Sequence, residues 1–398
     1  MRVKRPAVLT VPQGAAVAVI KAPRLRAFFL LLCLLWLTPL NAQILPPDRL
    51  DIMYHAYDGG GANIDGPSVL VRKSIGDSVS LSANYYVDMV SSASIDVLAT
   101  ASEYTEQRDE YSLGVDYLHE RTLISLGYTS SEENDYSAAT YSLSISQTFF
   151  GDLTTVALGV SFGEDEVMQN GNADFLRELE RRRYRLSLSQ ILTRSLIVNL
   201  AVESAADEGF LNNPYRQVRY LDPNAARGYS YQSEVYPQTR NSDAASIRAI
   251  YHLPYRASVR ADYRLYSDSW GIDASNWELR YVHPWRSLLF EAKYRQYQQT
   301  EADFYADLFP FRDAQNFLAR DKELSDFDSS TIGLGVTWTL PHHWLKIFNK
   351  STLNFYWDRL HFDYNNFRNV LEEDSAAGEE GFYSFDADVV RLYFSFWF

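Results

Sequence analysis

Along most of the chain, apolar and polar residues alternate with a period of two. In Asp77–Met89, the residues Val79, Leu81, Ala83, Tyr85, Val87 and Met89 share one face. Ser78, Ser80, Ser82, Asn84, Tyr86 and Asp88 share the other. Successive side chains of a strand point to opposite faces, so this pattern predicts a strand with one apolar and one polar side. It runs for about a dozen residues, against the five or six of an ordinary soluble strand. A tilted strand crossing a bilayer needs about 9–11 residues. The same alternation returns at Tyr111–Tyr117, Tyr141–Ile145, Val156–Phe162, Tyr184–Leu188, Leu196–Val202, Tyr255–Leu265 and Ile332–Trp338.

The connections predicted between these segments also alternate, short then long. Short ones fall near Gly76-Asp77, His119–Arg121, Gly151-Asp152, Thr193-Arg194, Leu253–Tyr255 and His283–Arg286, with a somewhat longer one at His342–Lys350. Long ones cover Val90–Arg108, Ser130–Asp135, Gly163–Arg181, Ala206–Asp243, Ser267–Ser275, Thr300–Asp328 and His361–Gly381. Short periplasmic turns and long outer loops characterise bacterial outer-membrane barrels, which have an even strand number. The expected fold is therefore all-β: a transmembrane antiparallel β-barrel of about sixteen strands, within a range of roughly 14–18. It would run from Leu50–Tyr57 to Val389–Phe398.

The first segment breaks the pattern. Arg2, Lys4, Arg5, Lys21, Arg24 and Arg26 precede the apolar run Ala27–Leu40, and the small residue Ala42 follows. A basic start, a short apolar run and a small residue at the cut make a secretory signal, so residues 1–42 are expected to be removed, leaving 43–398 as one barrel domain. An apolar run of about 14 residues falls short of the ~20 that a spanning helix needs. Cys33 sits inside the run beside Leu32 and Leu34, unlike a lipoprotein cysteine, which follows a small residue.

Composition narrows the class further. The chain has 398 residues, with Lys+Arg 37 against Asp+Glu 51, a net charge of -14. That balance argues against nucleic acid as a partner, which would need a basic face. One Cys excludes a disulfide framework or a Cys-rich metal site. No cofactor is indicated.

The last residues carry a further signal. Val390, Leu392, Phe394, Phe396 and Phe398 form one apolar face up to the final residue. This looks like the C-terminal strand through which outer-membrane barrels engage the barrel-assembly machinery. Trp285, Trp338, Trp344, Trp357 and Trp397 fall near predicted strand ends, as interface girdles would. A secreted solenoid or sandwich would lack such strand lengths and aromatic placement.

Three stretches point to a family: Asp58–Ser74 (DGGGANIDGPSVLVRKS), Tyr85–Ala101 (YYVDMVSSASIDVLATA) and Asn213–Arg240 (NPYRQVRYLDPNAARGYSYQSEVYPQTR). Together with the barrel pattern they resemble the outer-membrane family catalogued as domain of unknown function thirty-five seventy, over roughly residues 46–398. The resemblance implies the location and the fold. It brings no catalytic residue with it.

The phase of the alternation sends Arg181, Arg183, Arg185, Arg256, Arg260, Arg264, Arg280, Lys293 and Arg295 inward. Asp88, Asp116, Glu203, Asp262, Glu278 and Glu291 join them. Arg or Lys on the lipid face costs about 2–4 kcal/mol at the midplane, which favours the lumen. Two readings follow. The charges line a water-filled bore with a preference for anions or zwitterions, or they pair into a network that fills a closed barrel. The Val90–Arg108 segment offers either a constriction loop or, as the simpler expectation, an ordinary outer loop.

Other chemistry is sparse. Asp58, Asn63 and Asp65 around Gly59–Gly61 offer oxygens to Ca2+, though a glycine-rich hairpin tip explains them more simply. The acid runs Glu132-Glu133, Glu164–Glu166, Glu372–Asp374 and Glu379-Glu380 are expected in outer loops, solvated or bridged through cations to lipopolysaccharide. His119, His252, His283, His342 and His343 scatter near short turns and do not resemble a metal site. Neither GxSxG nor HExxH occurs, so no enzyme is expected.

The expected function is an outer-membrane, porin-like channel or passive transporter for small polar solutes. It would be surrounded by outer-membrane lipid and lipopolysaccharide. The alternative is a non-conducting scaffold or receptor acting through the loops near 206–243 and 300–328; an outer-membrane hydrolase ranks third.

Overall fold

A computed structural model describes residues 45–92, 94, 95, 104–372 and 374–398. The expected signal segment and its cut lie outside them. Sixteen strands close into one antiparallel barrel. The first nine are β1 (Arg49–Gly59), β2 (Ala62–Ile75), β3 (Val79–Ser92), β4 (Tyr104–His119), β5 (Thr122–Glu132), β6 (Tyr136–Phe149), β7 (Thr154–Met168), β8 (Leu176–Thr193) and β9 (Leu196–Gly209). A small separate hairpin, β10 (Gln217–Leu221) and β11 (Tyr229–Ser233), stands in the loop that follows. The barrel resumes with β12 (Thr239–His252), β13 (Ser258–Asp268), β14 (Asp273–Trp285), β15 (Leu288–Gln299), β16 (Phe327–Thr339), β17 (Lys350–Arg368) and β18 (Phe382–Trp397). β18 pairs with β1 from Arg49↔Trp397 to Gly59↔Ala387, so no edge is left open. Closure satisfies every ladder within the membrane, where water offers no substitute.

The barrel is inverted relative to a soluble protein. The outward positions are large, apolar and exposed: Leu113, Leu126, Leu158, Leu186, Leu279 and Ile332 among them. The inward neighbours are Ser, Gly, Thr or charged. Such a surface is stable only against lipid, and the polar interior only around water or paired charge. The period-two pattern thus sets which face is buried where, because a one-residue slip would turn every charge toward lipid.

Short turns at one end alternate with the other connections. The residues between β2 and β3 number three, those between β4 and β5 two, and those between β8 and β9 two. The opposite, extracellular end departs from expectation in two places. Between β5 and β6 only Glu133–Asp135 remain outside strands, and between β13 and β14 only Ser269–Ile272. The polar residues read there as loops continue the ladders above the lipid belt. For the same reason Glu164–Glu166 lie within β7, not in a loop. Asp165 points inward and meets Arg181 at 2.9 Å, with its neighbours turned out.

At the tip of β1–β2, Gly60 and Gly61 adopt φ of 59° and 80°. A two-residue hairpin needs positive φ at both central positions, which glycine supplies without strain. The tip explains the glycine cluster. Asp58 stands directly across from Asn63, and Asp65 accepts a hydrogen bond from Tyr54. The three proposed calcium ligands are therefore spread along a hairpin.

Candidate functional site

The interior divides into two halves of different chemistry. On β12–β18 and β1–β3 the inward side chains are large and paired. Arg280 holds Glu278 at 2.9 Å and Glu291 at 2.8 Å. Asp358 receives Lys293 at 2.9 Å and Arg391 at 2.8 Å. Asp262 receives Arg260 at 2.6 Å and also Arg248. Between β1 and β3, across β2, His55 meets Asp88 at 2.7 Å and Tyr86 at 2.9 Å, with its ring stacked on Tyr86. Most of the partially buried charges here have an opposite charge within reach, which limits their desolvation penalty; Arg72 is an exception, with a buried Nε that has no partner.

On β4–β7 the inward residues are small. Gly114, Ser125, Gly127, Ser142, Ser144, Gly159, Ser161 and Gly163 occupy the places that bulky residues take opposite. Two cavities lie against this wall. The larger encloses about 680 Å³ between the Ser/Gly face and Arg183, Arg185, Glu203 and Arg264. The smaller, about 280 Å³, sits nearer the extracellular rim beside Arg108, Glu133, Tyr136 and Arg181. Ser161 and Arg183 line both. Arg183 therefore stands where the two cavities meet.

The extracellular mouth is partly roofed. The loop carrying β10 and β11 packs on the 300–326 loop, with bridges Tyr220↔Phe309 and Val235↔Leu318. Arg219 is wholly buried between Asp307 and Glu380, so it ties three loops together. Arg320, also buried, meets Asp307 at 3.0 Å and donates to the Arg368 carbonyl at 3.0 Å. Burial by itself would lower the Arg219 pKa, but hydrogen bonds and charge from Glu380 and Asp307 outweigh it and push the value up. Burial opposes the Glu380 carboxylate too. The Arg219 bonds and charge prevail and hold it below the ordinary glutamate range. Beneath the roof, Trp270, Phe304, Tyr364 and Phe367 form a buried cluster, joined by Phe327, Phe362 and Phe385. Ile95 belongs to that cluster. The start of the β3–β4 connection therefore turns inward, against the simpler expectation of an ordinary outer loop; 96–103 lie outside the described residues.

The structure sorts the charges expected to line the lumen. Arg260, Asp262, Glu278, Arg280, Glu291 and Lys293 come together in the paired half. Arg181, Arg183, Arg185 and Arg264 border the cavities. Arg295 lies beside the Tyr297 ring, 5.8 Å from its centre. Arg256 is a correction: it lies in the turn between β12 and β13, with φ of 69°, and not on the wall. The apolar alternation in the sequence runs back through Tyr255, but Leu253–Ala257 form a turn closed by the Arg256 N–H on the Leu253 carbonyl.

Several residues escaped the sequence reading. Arg248, Asp358 and Arg391 obey the same inward phase and were recoverable from it. Arg219, Asp307 and Arg320 were not, because their contacts join loops far apart in sequence; Glu380, expected as a solvated outer-loop acid, is instead buried against Arg219. In the loop near 206–243, offered as a receptor surface, Tyr229 and Tyr236 are buried, while Tyr215 stays exposed. Among the described residues, Glu106, Glu133 and Asp135 bring carboxylate oxygens within 4.8 Å of one another at the rim. Burial, then the Glu106 charge, pushes the Glu133 carboxyl up.

The family model described as "Protein of unknown function (DUF3570)" matches residues 99–185 and 177–352, more than half of the chain. The chain belongs to the DUF3570 family. The matched region contains the Asn213–Arg240 stretch, whereas Asp58–Ser74 and most of Tyr85–Ala101 precede it. With the lipid-facing belt and the closed barrel, this makes the DUF3570 chain an outer-membrane β-barrel protein. A search of curated proteins found no match.

Among solved structures, the chain is similar to CdiB from Acinetobacter baumannii at 10% identity and a TM-score of 0.47. The match covers 88% of this chain and 61% of that one. It is similar to the siderophore receptor PirA from Pseudomonas aeruginosa at 10% identity and 0.41, covering 88% and 62%. A bacterial polysaccharide outer membrane secretin gives 8% identity and 0.47, covering 89% and 100%. The chain thus spans less than two thirds of the length of the first two.

Proposed function

We propose that the protein is a passive channel for small polar solutes, with its route along the Ser/Gly wall of β4–β7. The carrying observation is the pair of cavities against that wall, meeting at Arg183. Small side chains leave the space; paired charges and the aromatic cluster fill the other half. The ion-paired part of the roof stands over the filled side, while Tyr215 of the same loop reaches across to Asp135 and to the Asn170 N–H at the rim above β5–β8, so solutes would pass beneath that contact. No chemical step is involved. The test is single-channel recording of the refolded protein in a planar bilayer. Discrete openings are the expected result, and a folded barrel that never conducts defeats the reading.

A second reading, a receptor working through its outer loops, draws on the roof itself. Its ion network makes a fixed surface on which Phe311 (59% exposed) and Leu221 (44%) stand out. Removal of Phe311 should weaken capture of a partner while conduction stays unchanged.

A further inference from the structure

We infer that Arg183, assisted by Arg185 and Arg264, is a selectivity site for a small hydroxylated oxyanion, a carboxylate or phosphate that also carries hydroxyl groups. The inference rests on the channel reading and names its cargo class.

The charge pattern supplies the first argument. Glu203 receives Arg185 at 3.0 Å and Arg264 at 2.7 Å, so one carboxylate is shared by two guanidiniums. Arg181 and Arg240 are engaged with Asp165 and Asp268. Arg183 forms no ion pair among the described residues, although it lines both cavities. Asp207 stands across the ladders from Arg181 and Arg240, at the upper part of the wall. The middle of the route therefore carries an excess of positive charge, focused by low-dielectric walls. Elsewhere in this lumen most inward arginines are ion-paired; Arg72 and Arg295 form no ion pair among the described residues, but neither lines a cavity. An uncompensated guanidinium facing a water-filled space is the recognised geometry for a bidentate oxyanion.

The wall opposite supplies the second argument. Ser142, Ser144 and Ser161 face the larger cavity. Among the described residues their hydroxyls have no partner within the protein. They offer both donors and acceptors to a solute that slides past. Gly127 and Gly159, between them, keep the backbone close and the space open. A halide would use the arginine alone. A hydroxylated oxyanion would use both walls, and a neutral polyol only the serines.

Gluconate serves as the probe, with chloride, inorganic phosphate and sorbitol for comparison. In planar bilayers, millimolar gluconate or phosphate should interrupt the chloride current, whereas sorbitol should not. In calorimetry of the detergent-solubilised protein, gluconate should bind, and Arg183→Gln should weaken it about tenfold, the effect of ~1.4 kcal/mol. Arg183→Lys should restore part of the loss, and Arg256→Gln, in the turn, none should be seen. Equal responses to gluconate and sorbitol, or unchanged binding in Arg183→Gln, overturn the inference and leave the channel standing. Absence of any conduction overturns the channel reading instead, and the solution titration then decides the Arg183 site by itself.

Discussion

Arg219 and Glu380 stand 161 positions apart in the chain and meet in the buried centre of the extracellular roof, with Arg219 Nη2 donating to Glu380 Oε2 at 3.0 Å. Asp307 completes the contact from a third loop. Removing the guanidinium leaves the buried Glu380 carboxylate without its charge partner, while Asp307 keeps Arg320, and a broken buried pair costs about 3–5 kcal/mol. Arg219→Ala should therefore loosen the roof locally while the barrel, held by its own ladders, stays closed. Limited proteolysis should cut the variant within 210–238 or 300–326, and its heat-modifiable migration on gels should be unchanged.

The same contact sets a pH window. Glu380 is held below the ordinary glutamate value of 4.5 by Arg219. A depressed carboxylate contributes stability that is complete above the unfolded value and is lost as pH falls through the folded one. Protease resistance of the roof loops should thus be full at pH 6, persist to near pH 4.5 and decline only in stronger acid. A decline already complete at pH 6 would contradict the assignment.

Charges in the two halves of the lumen should respond differently to removal. Arg264→Gln, beside the larger cavity, should shift the reversal potential in a salt gradient toward cations. Arg256→Gln should leave it unmoved, because that residue lies in a turn. Arg280→Ala should instead destabilise the barrel by about 1.5–3 kcal/mol, through the lost charged hydrogen bonds to Glu278 and Glu291. Reversal potentials and thermal unfolding in detergent separate the two effects.

Much of this fold was legible because a membrane barrel writes its environment into every second residue. Leu113, Leu126 and Leu158 face lipid for the same reason that Gly114, Gly127 and Gly159 face the lumen. Strand ends were less legible: Glu164–Glu166 and Ser130–Glu132 are polar on both faces once the ladder rises above the lipid, so periodicity no longer marks them as strand. Arg256 went astray because alternation ran on through a turn closed by a non-glycine residue at positive φ. The roof was invisible. Arg219, Asp307 and Glu380 lie in loops whose register no local pattern fixes, and only their three-dimensional meeting reveals the network. The division of the lumen was half visible: small residues on β4–β7 were in plain sight as the polar face, but their grouping on one side required the closed order of strands.

The central claim is that solutes pass along the Ser/Gly wall past Arg183, and a cysteine placed in that wall tests it most directly. A Cβ at Gly159 would meet only the Ser144 Cβ, at 3.9 Å, so Gly159→Cys is accommodated without strain. The measurement is single-channel current of this variant before and after a bulky, water-soluble thiol reagent, with Cys33 also replaced. The account predicts open channels that the reagent blocks at once. Labelling confirmed by mass with an unaltered current would place the conducting route elsewhere and contradict it.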